Sequence, residues 1–328
     1  MRLREAIDRA GEAVLAGGRL APERALPLLA ARGTEAAVLW DWGHRVRRRW
    51  GPQGCELCAV VSVRTGGCSE DCAFCAQSRV SPGPEPDFAQ VLERARRMAQ
   101  AGVQRLCLVA SGRGLWGNDA RLERLAGWAA RLRHEVPGLG LCASLGFLDP
   151  PAARRLRRAG VSRYNHNLET APSFFLRVVT SHPLAERLAT IRIAQRAGLE
   201  LCVGGILGLG ESLSQRVELA AALRELPATS VPLNLLDPRP GTPLAGAGRL
   251  SPTEALNAIA VFRLLLPDRR LRLAGGREAV LGGCWPRALR AGADSLLTGG
   301  YLTTSGNSPE VDVATLRRWS EEGSRLDG

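Results

Sequence analysis

AGVQRLCLVAS, residues 101–111, carries a whole structural transition. Ala101-Gly102 closes a helix, because glycine takes the left-handed conformation of a C-terminal cap without steric cost. The apolar run after it reads as a buried strand. The same hand-over recurs at Ala159-Gly160-Val161, Ala197-Gly198-Leu199 and Ala291-Gly292-Ala293, which lead into SRYNHN, LELCVGGILG and DSLLTGG. Further apolar runs lie between Cys58 and Thr65 and around Cys142, Asn234 and Arg272, so eight strands are expected. Helical patterns separate them. In PLAERLATIRIAQRAG, Leu184, Leu188 and Ile191 share one face, and SPTEALNAIAVFRLLLP has a Ser251 cap, Pro252 in the first turn, Glu254 completing a capping box and a stop at Pro267. The strands recur at about 34 residues, the size of a βαβ step. The pattern predicts an α/β fold, a (β/α)8 TIM-type barrel rather than an open doubly wound sheet. Residues 1–50 read as an N-terminal helical extension of two or three helices, and 51–328 as the barrel domain. SPGPEPDF, residues 81–88, is a loop rather than a domain boundary.

The chain has 328 residues, a length that one α/β barrel can fill. With 45% hydrophobic residues it can bury a sizeable core, yet it has no apolar run long enough to span a bilayer. Glu5, Asp8 and Glu12 interrupt the place where a secretory leader would be apolar, so a cytoplasmic protein without a membrane partner is expected. The net charge of +12 comes from 44 basic and 32 acidic residues, and every basic residue is arginine. Without lysine there is neither a Schiff base to pyridoxal phosphate nor a Walker lysine, which removes two large enzyme classes. The arginines are spread over predicted helices beside Glu and Asp, so no nucleic-acid partner is expected. The densest group, Arg45, Arg47, Arg48 and Arg49, reads as a solvated helix face. Nine cysteines in a chain of this kind do not suggest a disulfide framework and make metal chemistry the leading question.

GGCSEDCAFCAQS follows the first strand and sets Cys68, Cys72 and Cys75 in the pattern C-x-x-x-C-x-F-C. Three thiolates close to one another leave one iron of a [4Fe-4S] cluster open, whereas a structural zinc site would need a fourth ligand. The pattern resembles the signature of the radical S-adenosylmethionine (SAM) enzymes. That resemblance implies SAM bound at the open iron, with the radical chemistry belonging to the cofactor. Cys107, Cys142 and Cys202 stand inside three different predicted strands. Each alone reads as a small core hydrophobe, but inward-facing thiols of several barrel strands can converge on the axis. Arg272, on another strand, offers a counter-charge there.

From about Cys58 onward the chain resembles the biotin synthase family. The resemblance rests on SEDCAFCAQS, YNHNLET, ELCVGGILGLGES, SVPLNLLDPRPGTPL, LRLAGGRE and YLTT. It implies that Cys107, Cys142, Cys202 and Arg272 ligate an auxiliary [2Fe-2S] cluster. It implies that Asn165, Asn167 and Asn234 face the substrate dethiobiotin, with Asn167 also on the cofactor side. Glu169 would hold the SAM ribose hydroxyls and Arg187 the SAM carboxylate, and Gly204, Gly205, Gly208 and Gly210 would let backbone approach the adenosyl group. The activity implied is sulfur insertion: two SAM molecules furnish 5′-deoxyadenosyl radicals, and the auxiliary cluster gives up the sulfur that closes the ring of biotin. A flavodoxin- or ferredoxin-type electron donor and a homodimer are implied with it. Acid-base catalysis is not required, in keeping with the four histidines. Phe74 stands where the family often has Tyr, and ASGRG after Cys107 leaves the pocket near Gly112 and Arg113 open. The rival readings are a methylornithine synthase or hydrogenase-maturation type of radical SAM enzyme, and a basic iron-sulfur or nucleic-acid-binding protein. Cys55 and Cys58 form a C-x-x-C pair that reads as core packing or loop placement, and Cys284 has no assigned partner.

Overall fold

The structure, a computed structural model, describes residues 2–301 and 305–326. Eight parallel strand positions alternate with helices. They are β1 (Glu56–Arg64), β2 (Arg105–Ala110), β3 (Gly140–Ser144), β4 (Val161–Asn165), β5 in two pieces (Glu200–Cys202 and Gly205–Leu207), β6 (Ser230–Leu235), β7 (Arg270–Leu273) and β8 (Ser295–Thr298). β1 pairs with both β2 and β8, and β6 pairs with β7 from Arg270 opposite Ser230 to Leu273 opposite Leu233, so the sheet closes on itself. The closed barrel expected from the repeating hand-over is present. Gly102, Gly160, Gly198 and Gly292 all have φ between 79° and 110°, as left-handed caps require. A two-stranded patch, Gly114–Leu115 beside Phe147–Leu148, lies outside the barrel and was not expected.

Strand alternation divides the side chains. On β1, Leu57, Ala59 and Val63 are buried against the surrounding helices, while Cys58 and Val60 face the barrel interior. The helix Pro252–Leu265 has the reciprocal capping box between Ser251 and Glu254, with Pro252 in its first turn. It is buried from Ala255 to Leu265, because the helices that precede the barrel cover its outer side. Those helices are Leu3–Leu15 and Gly33–Trp50, with a short Pro22–Ala25 helix and a 3-10 turn Leu26–Ala30 between them. Trp40 Nε1 donates to Asn257 Oδ1 (2.9 Å), and Asn257 Nδ2 donates to the carbonyls of Leu29 (3.2 Å) and Ala31 (2.8 Å). The arginine run departs in part from a solvated face. Arg45 and Arg49 are exposed and stack on Trp42 and Trp50, but Arg47 turns inward over Trp319. Among the described residues no helix is long and apolar enough to cross a membrane.

Arg263 fastens the helix Pro252–Leu265 to the strands beneath it. Its fully buried guanidinium donates to the carbonyls of Gly292 (2.9 Å), Pro267 (3.0 Å) and Arg269 (2.6 Å) and to Asp294 Oδ2 (3.0 Å). Asp294 Oδ1 in turn accepts from the Leu271 amide at 2.8 Å. Removing one member of a buried pair strands the other charge. Asp294→Ala is therefore expected to cost about 3–5 kcal/mol, read as a fall in the urea midpoint at unchanged m. A cost under about 1 kcal/mol would mean that the backbone carbonyls alone satisfy Arg263.

Candidate active site

Alternate residues of the closed sheet converge on a cavity of about 330 Å³ that opens at the carboxyl ends of the strands. Cys107, Cys142, Cys202 and Arg272 all line it, so the four residues picked out on separate strands do meet. Cys107 and Cys142 are register partners across β2 and β3, and Cys202 is the partner of Asn165 across β5 and β4. Arg272 Nη1 donates to Cys202 Sγ at 3.3 Å, and Arg272 Nε to Ser295 Oγ at 3.0 Å. Burial raises the Cys107 thiol well above its ordinary range. The Cys142 thiol is raised by its hydrogen bond with Cys58 and by burial. Metal binding here must release those protons, since the thiolate is the ligand. Among the described residues no three His, Cys, Asp or Glu side chains gather as ligands of a single metal ion would. Thiols spread round a wall suit a cluster in which sulfide bridges several irons.

Beneath the thiols lies a charged floor. Glu56 Oε1 accepts from Arg272 Nη2 (2.7 Å) and Arg163 Nη1 (2.8 Å), and Glu56 Oε2 accepts from Arg105 Nε (2.8 Å). Glu200 Oε2 accepts from Arg163 Nε (2.9 Å) and Arg105 Nη2 (3.2 Å). Three guanidiniums face two carboxylates, an excess of positive charge where anionic thiolates and sulfide would sit. Burial works to raise the Glu56 carboxyl, but Arg272, Arg163 and Arg105 outweigh it and hold it at about 2.

The loop after β1 brings Cys68, Cys72 and Cys75 to the open end, and Cys75 lines the cavity mouth. Gln77 closes the loop: its side-chain oxygen accepts from the Gly66 amide (2.7 Å) and its carbonyl from the Cys68 amide (3.1 Å). Burial pushes the Cys72 thiol up to about 12, with Glu169 adding to the rise and Arg187 opposing it. The loop thiols thus share their surroundings with the two residues expected at SAM.

YNHNLET sorts by parity. Asn165 and Asn167 line the cavity, whereas His166 turns away and packs edge-on to Phe147. Asn165 Nδ2 donates to Cys202 Sγ (3.3 Å), the Gly204 amide donates to Asn167 Oδ1 (3.1 Å), and Asn234 Nδ2 donates to the Gly205 carbonyl (3.1 Å). Arg187 is buried, and its Nη1 donates to Glu169 Oε1 (3.1 Å) and to the Asn167 carbonyl (3.0 Å). Arg187 Nε donates to His182 Nε2 (3.0 Å), and His182 Nδ1 bonds Glu70 beside the cysteine loop. Glu169 has φ of 69°, alone among the described non-glycine residues in the left-handed region. Strain of this kind collects where surrounding structure must hold a side chain in place. At Gly204 a Cβ would lie 1.9 Å from the Pro232 carbonyl, so the protein's own packing already requires glycine at this break in β5. Gly112 and Arg113 do not line the cavity; Arg113 pairs with Glu70 (2.9 Å) and Glu186 (2.6 Å). Of YLTT, Tyr301 lines the mouth, and residues 302–304 lie outside the described residues.

Residues 62–223 match the radical SAM superfamily, and residues 232–321 match the biotin and thiamin synthesis associated domain. A methylornithine synthase structure superposes with a TM-score of 0.82 at 19% identity, covering 96% of each chain. The FeFe-hydrogenase maturase HydG from Carboxydothermus hydrogenoformans does so with 0.78 at 17% identity, over 96% of this chain and 78% of that one. Those two likenesses speak for the fold alone. Fold, cysteine loop and superfamily match together define a radical SAM barrel enzyme. The biotin synthase of Desulforudis audaxviator is 46% identical over 97% of both chains, and that of Heliobacterium modesticaldum is 44% identical over 95% of this chain and 97% of its own. The biotin synthase of Acidothermus cellulolyticus is 48% identical over 86% of this chain and 85% of its own. The chain belongs to the biotin synthase family.

Sequence reasoning missed Glu56, Arg105 and Arg163, and it read Cys58 only as core packing or loop placement. Cys58 is buried as expected, but it lines the cavity together with Arg163. The available signal was parity: Glu56 and Cys58 are two apart on one strand, and Arg105 and Cys107 likewise. The depressed Glu56 carboxyl gives a signed expectation. Its stabilisation is whole above about pH 4.5 and is lost as pH falls toward 2, a contribution of about 3 kcal/mol. Urea unfolding at stepped pH should show a shallower acid decline in Glu56→Gln than in the unsubstituted protein. Parallel declines would remove Glu56 from the acid response.

Proposed function

We propose that this chain makes biotin from dethiobiotin by sulfur insertion, with its two groups of cysteines each holding an iron-sulfur cluster. The observation that carries the reading is one cavity lined at its mouth by Cys75 and at its depth by Cys107, Cys142 and Cys202. Cys68, Cys72 and Cys75 hold the [4Fe-4S] cluster, and Cys107, Cys142, Cys202 and Arg272 hold the [2Fe-2S] cluster. When bound, the first cluster and SAM supply hydrogen-abstracting 5′-deoxyadenosyl radicals, and the second supplies sulfur.

The remaining work is binding, orientation and exclusion of water. Glu169 accepts hydrogen bonds from the SAM ribose hydroxyls, and the positive charge of the Arg187 guanidinium is matched to the SAM carboxylate. His182 fixes the plane of that guanidinium through Nε (3.0 Å). Asn165, Asn167 and Asn234 take the dethiobiotin ureido ring between them, since an amide can donate to its oxygen and accept from its nitrogens. Asn234 is prepared for this by the Gly275 amide, which donates to its Oδ1 at 3.0 Å and fixes which end of the amide faces which way. Val60, Val109, Ile206 and Leu297 give the cavity an aliphatic wall that keeps water from a reactive carbon centre. The reading includes a homodimer in the cytoplasm and a flavodoxin- or ferredoxin-type electron donor. A net charge of +12 favours encounter with an acidic donor of that sort.

Anaerobic reconstitution followed by SAM and dethiobiotin tests the reading directly. Cys142→Ala should leave SAM binding unchanged and abolish biotin formation, while 5′-deoxyadenosine is still released. Loss of SAM affinity in that variant would contradict two separate clusters. Asn165→Ala and Asn234→Ala should each raise the dethiobiotin KM by about 10–100-fold, the worth of a lost buried hydrogen bond or two, with SAM affinity unchanged. An equal loss of affinity for both molecules would point instead to a collapsed cavity.

A further inference from the structure

An external electron has to reach the cluster that the reading above gives to Cys68, Cys72 and Cys75, and electron transfer falls steeply with distance. The carrier must therefore seat where their loop meets the surface. Ala73, in the middle of that loop, is clasped from both sides: its amide donates to the Val178 carbonyl (2.9 Å), and its carbonyl accepts from the Leu244 amide (3.4 Å). Cys72, Ala73 and Phe74 are half-buried, packed on a small apolar cluster that includes Phe175 and Val178. The surface over the loop is thus framed by two segments, the 3-10 turn Pro172–Arg177 and the loop 237–249.

The turn sorts its own side chains. Phe175 and Val178, three apart, share the inner side, so Leu176 and Arg177 face outward. Leu176 is 66% exposed, the most of any large apolar side chain among the described residues. A lone exposed leucine is ordinary. This one stands among cations, beside the loop that an electron must reach. Arg177, and Arg79 at the end of the cysteine loop, are exposed, and among the described residues neither pairs with a carboxylate. On the other flank Arg239 and Arg249 share a single carboxylate, Asp237, with Arg249 at 2.8 Å. Of the loop's acids, Glu70 turns inward to His182, and Asp71 is taken up by the Thr180 and Ser181 amides at 3.0 Å each. The frame keeps an excess of positive charge round an apolar centre. Such a surface steers an acidic protein toward it and holds it in a small, quickly released contact.

We propose that this face, centred on Leu176 and Arg177 and bordered by Arg79 and Arg249, is the docking site of an acidic one-electron carrier protein. The inference rests on the cluster-and-SAM reading above and gives its donor a place. The carrier loses one electron and the cluster of the cysteine loop gains it; no bond breaks and no proton moves. Its test uses the anaerobically reconstituted full chain with SAM and dethiobiotin, read as 5′-deoxyadenosine released. Electrons come either from bacterial flavodoxin hydroquinone or from photoreduced 5-deazaflavin, a small reductant that needs no docking face. Leu176→Glu and Arg177→Glu should each raise the flavodoxin concentration for half-maximal rate about tenfold, while the deazaflavin-driven rate stays within about twofold. The salt dependence of the flavodoxin-driven rate should flatten in Arg177→Glu. Arg154→Glu, on the exposed side of the helix Pro150–Arg158, should change neither rate. An unchanged flavodoxin demand in the double variant would overturn the proposal, as would an equal fall with both reductants. A lower sedimentation coefficient in the same variants would assign the face to a second copy of this chain and overturn it too. Turnover of the unsubstituted chain with deazaflavin but not with flavodoxin would remove the carrier. If the unsubstituted chain releases no 5′-deoxyadenosine even with deazaflavin, the cluster-and-SAM reading itself fails.

Discussion

A closed parallel sheet sends every second side chain to one axis, and the interior cannot decline what it is sent. In most barrels the result is a packed aliphatic core. Here the inward positions of β1 to β5 include Glu56, Cys58, Arg105, Cys107, Cys142, Arg163 and Cys202, so the axis is polar and sulfur-rich. Burying such groups is costly unless each has a partner. Layering meets that requirement: ion pairs form the floor, thiols lie above them, and amides and the cysteine loop stand at the mouth.

The mouth is organised by the break in β5. The strand stops at Cys202 and resumes at Gly205, and between them Gly204 lies so close to the Pro232 carbonyl that only glycine fits. Glu169 then bridges to Gly205, and the Ile206 amide donates to the Glu169 carbonyl at 2.7 Å. That contact holds Glu169 in its left-handed conformation and turns its carboxylate toward Arg187. Arg187 is held from the other side by His182, which reaches Glu70 in the cysteine loop. A local sheet defect, a strained residue and a hydrogen-bonded chain thus connect the loop thiols to the residues assigned to SAM.

Much of this was legible in the sequence because the signals were local. The Ala-Gly hand-overs, the Ser251 capping box and the C-x-x-x-C-x-F-C loop depend on neighbours a few residues away, and the hand-overs and the capping box have their expected form. The strand cysteines needed the added assumption of closure, which the repeat length supplied. The floor was not legible. Glu56, Arg163 and Arg272 come from strands up to 216 positions apart, and a strand glutamate looks like any solvent-facing residue until its partners are known. Cys58 was obscured by Cys55, because a familiar pair spacing diverted attention from strand parity.

The floor has a further property that comes from the chemistry of its cations. An ammonium group in such dry surroundings would tend to shed its proton and become neutral, whereas guanidinium keeps its charge even when desolvated. Arg105, Arg163 and Arg272 therefore impose a positive field that stays constant from neutral into alkaline solution. Whatever the cavity holds gains electron affinity from a permanent source, and pH can tune it only through protons on its own ligands.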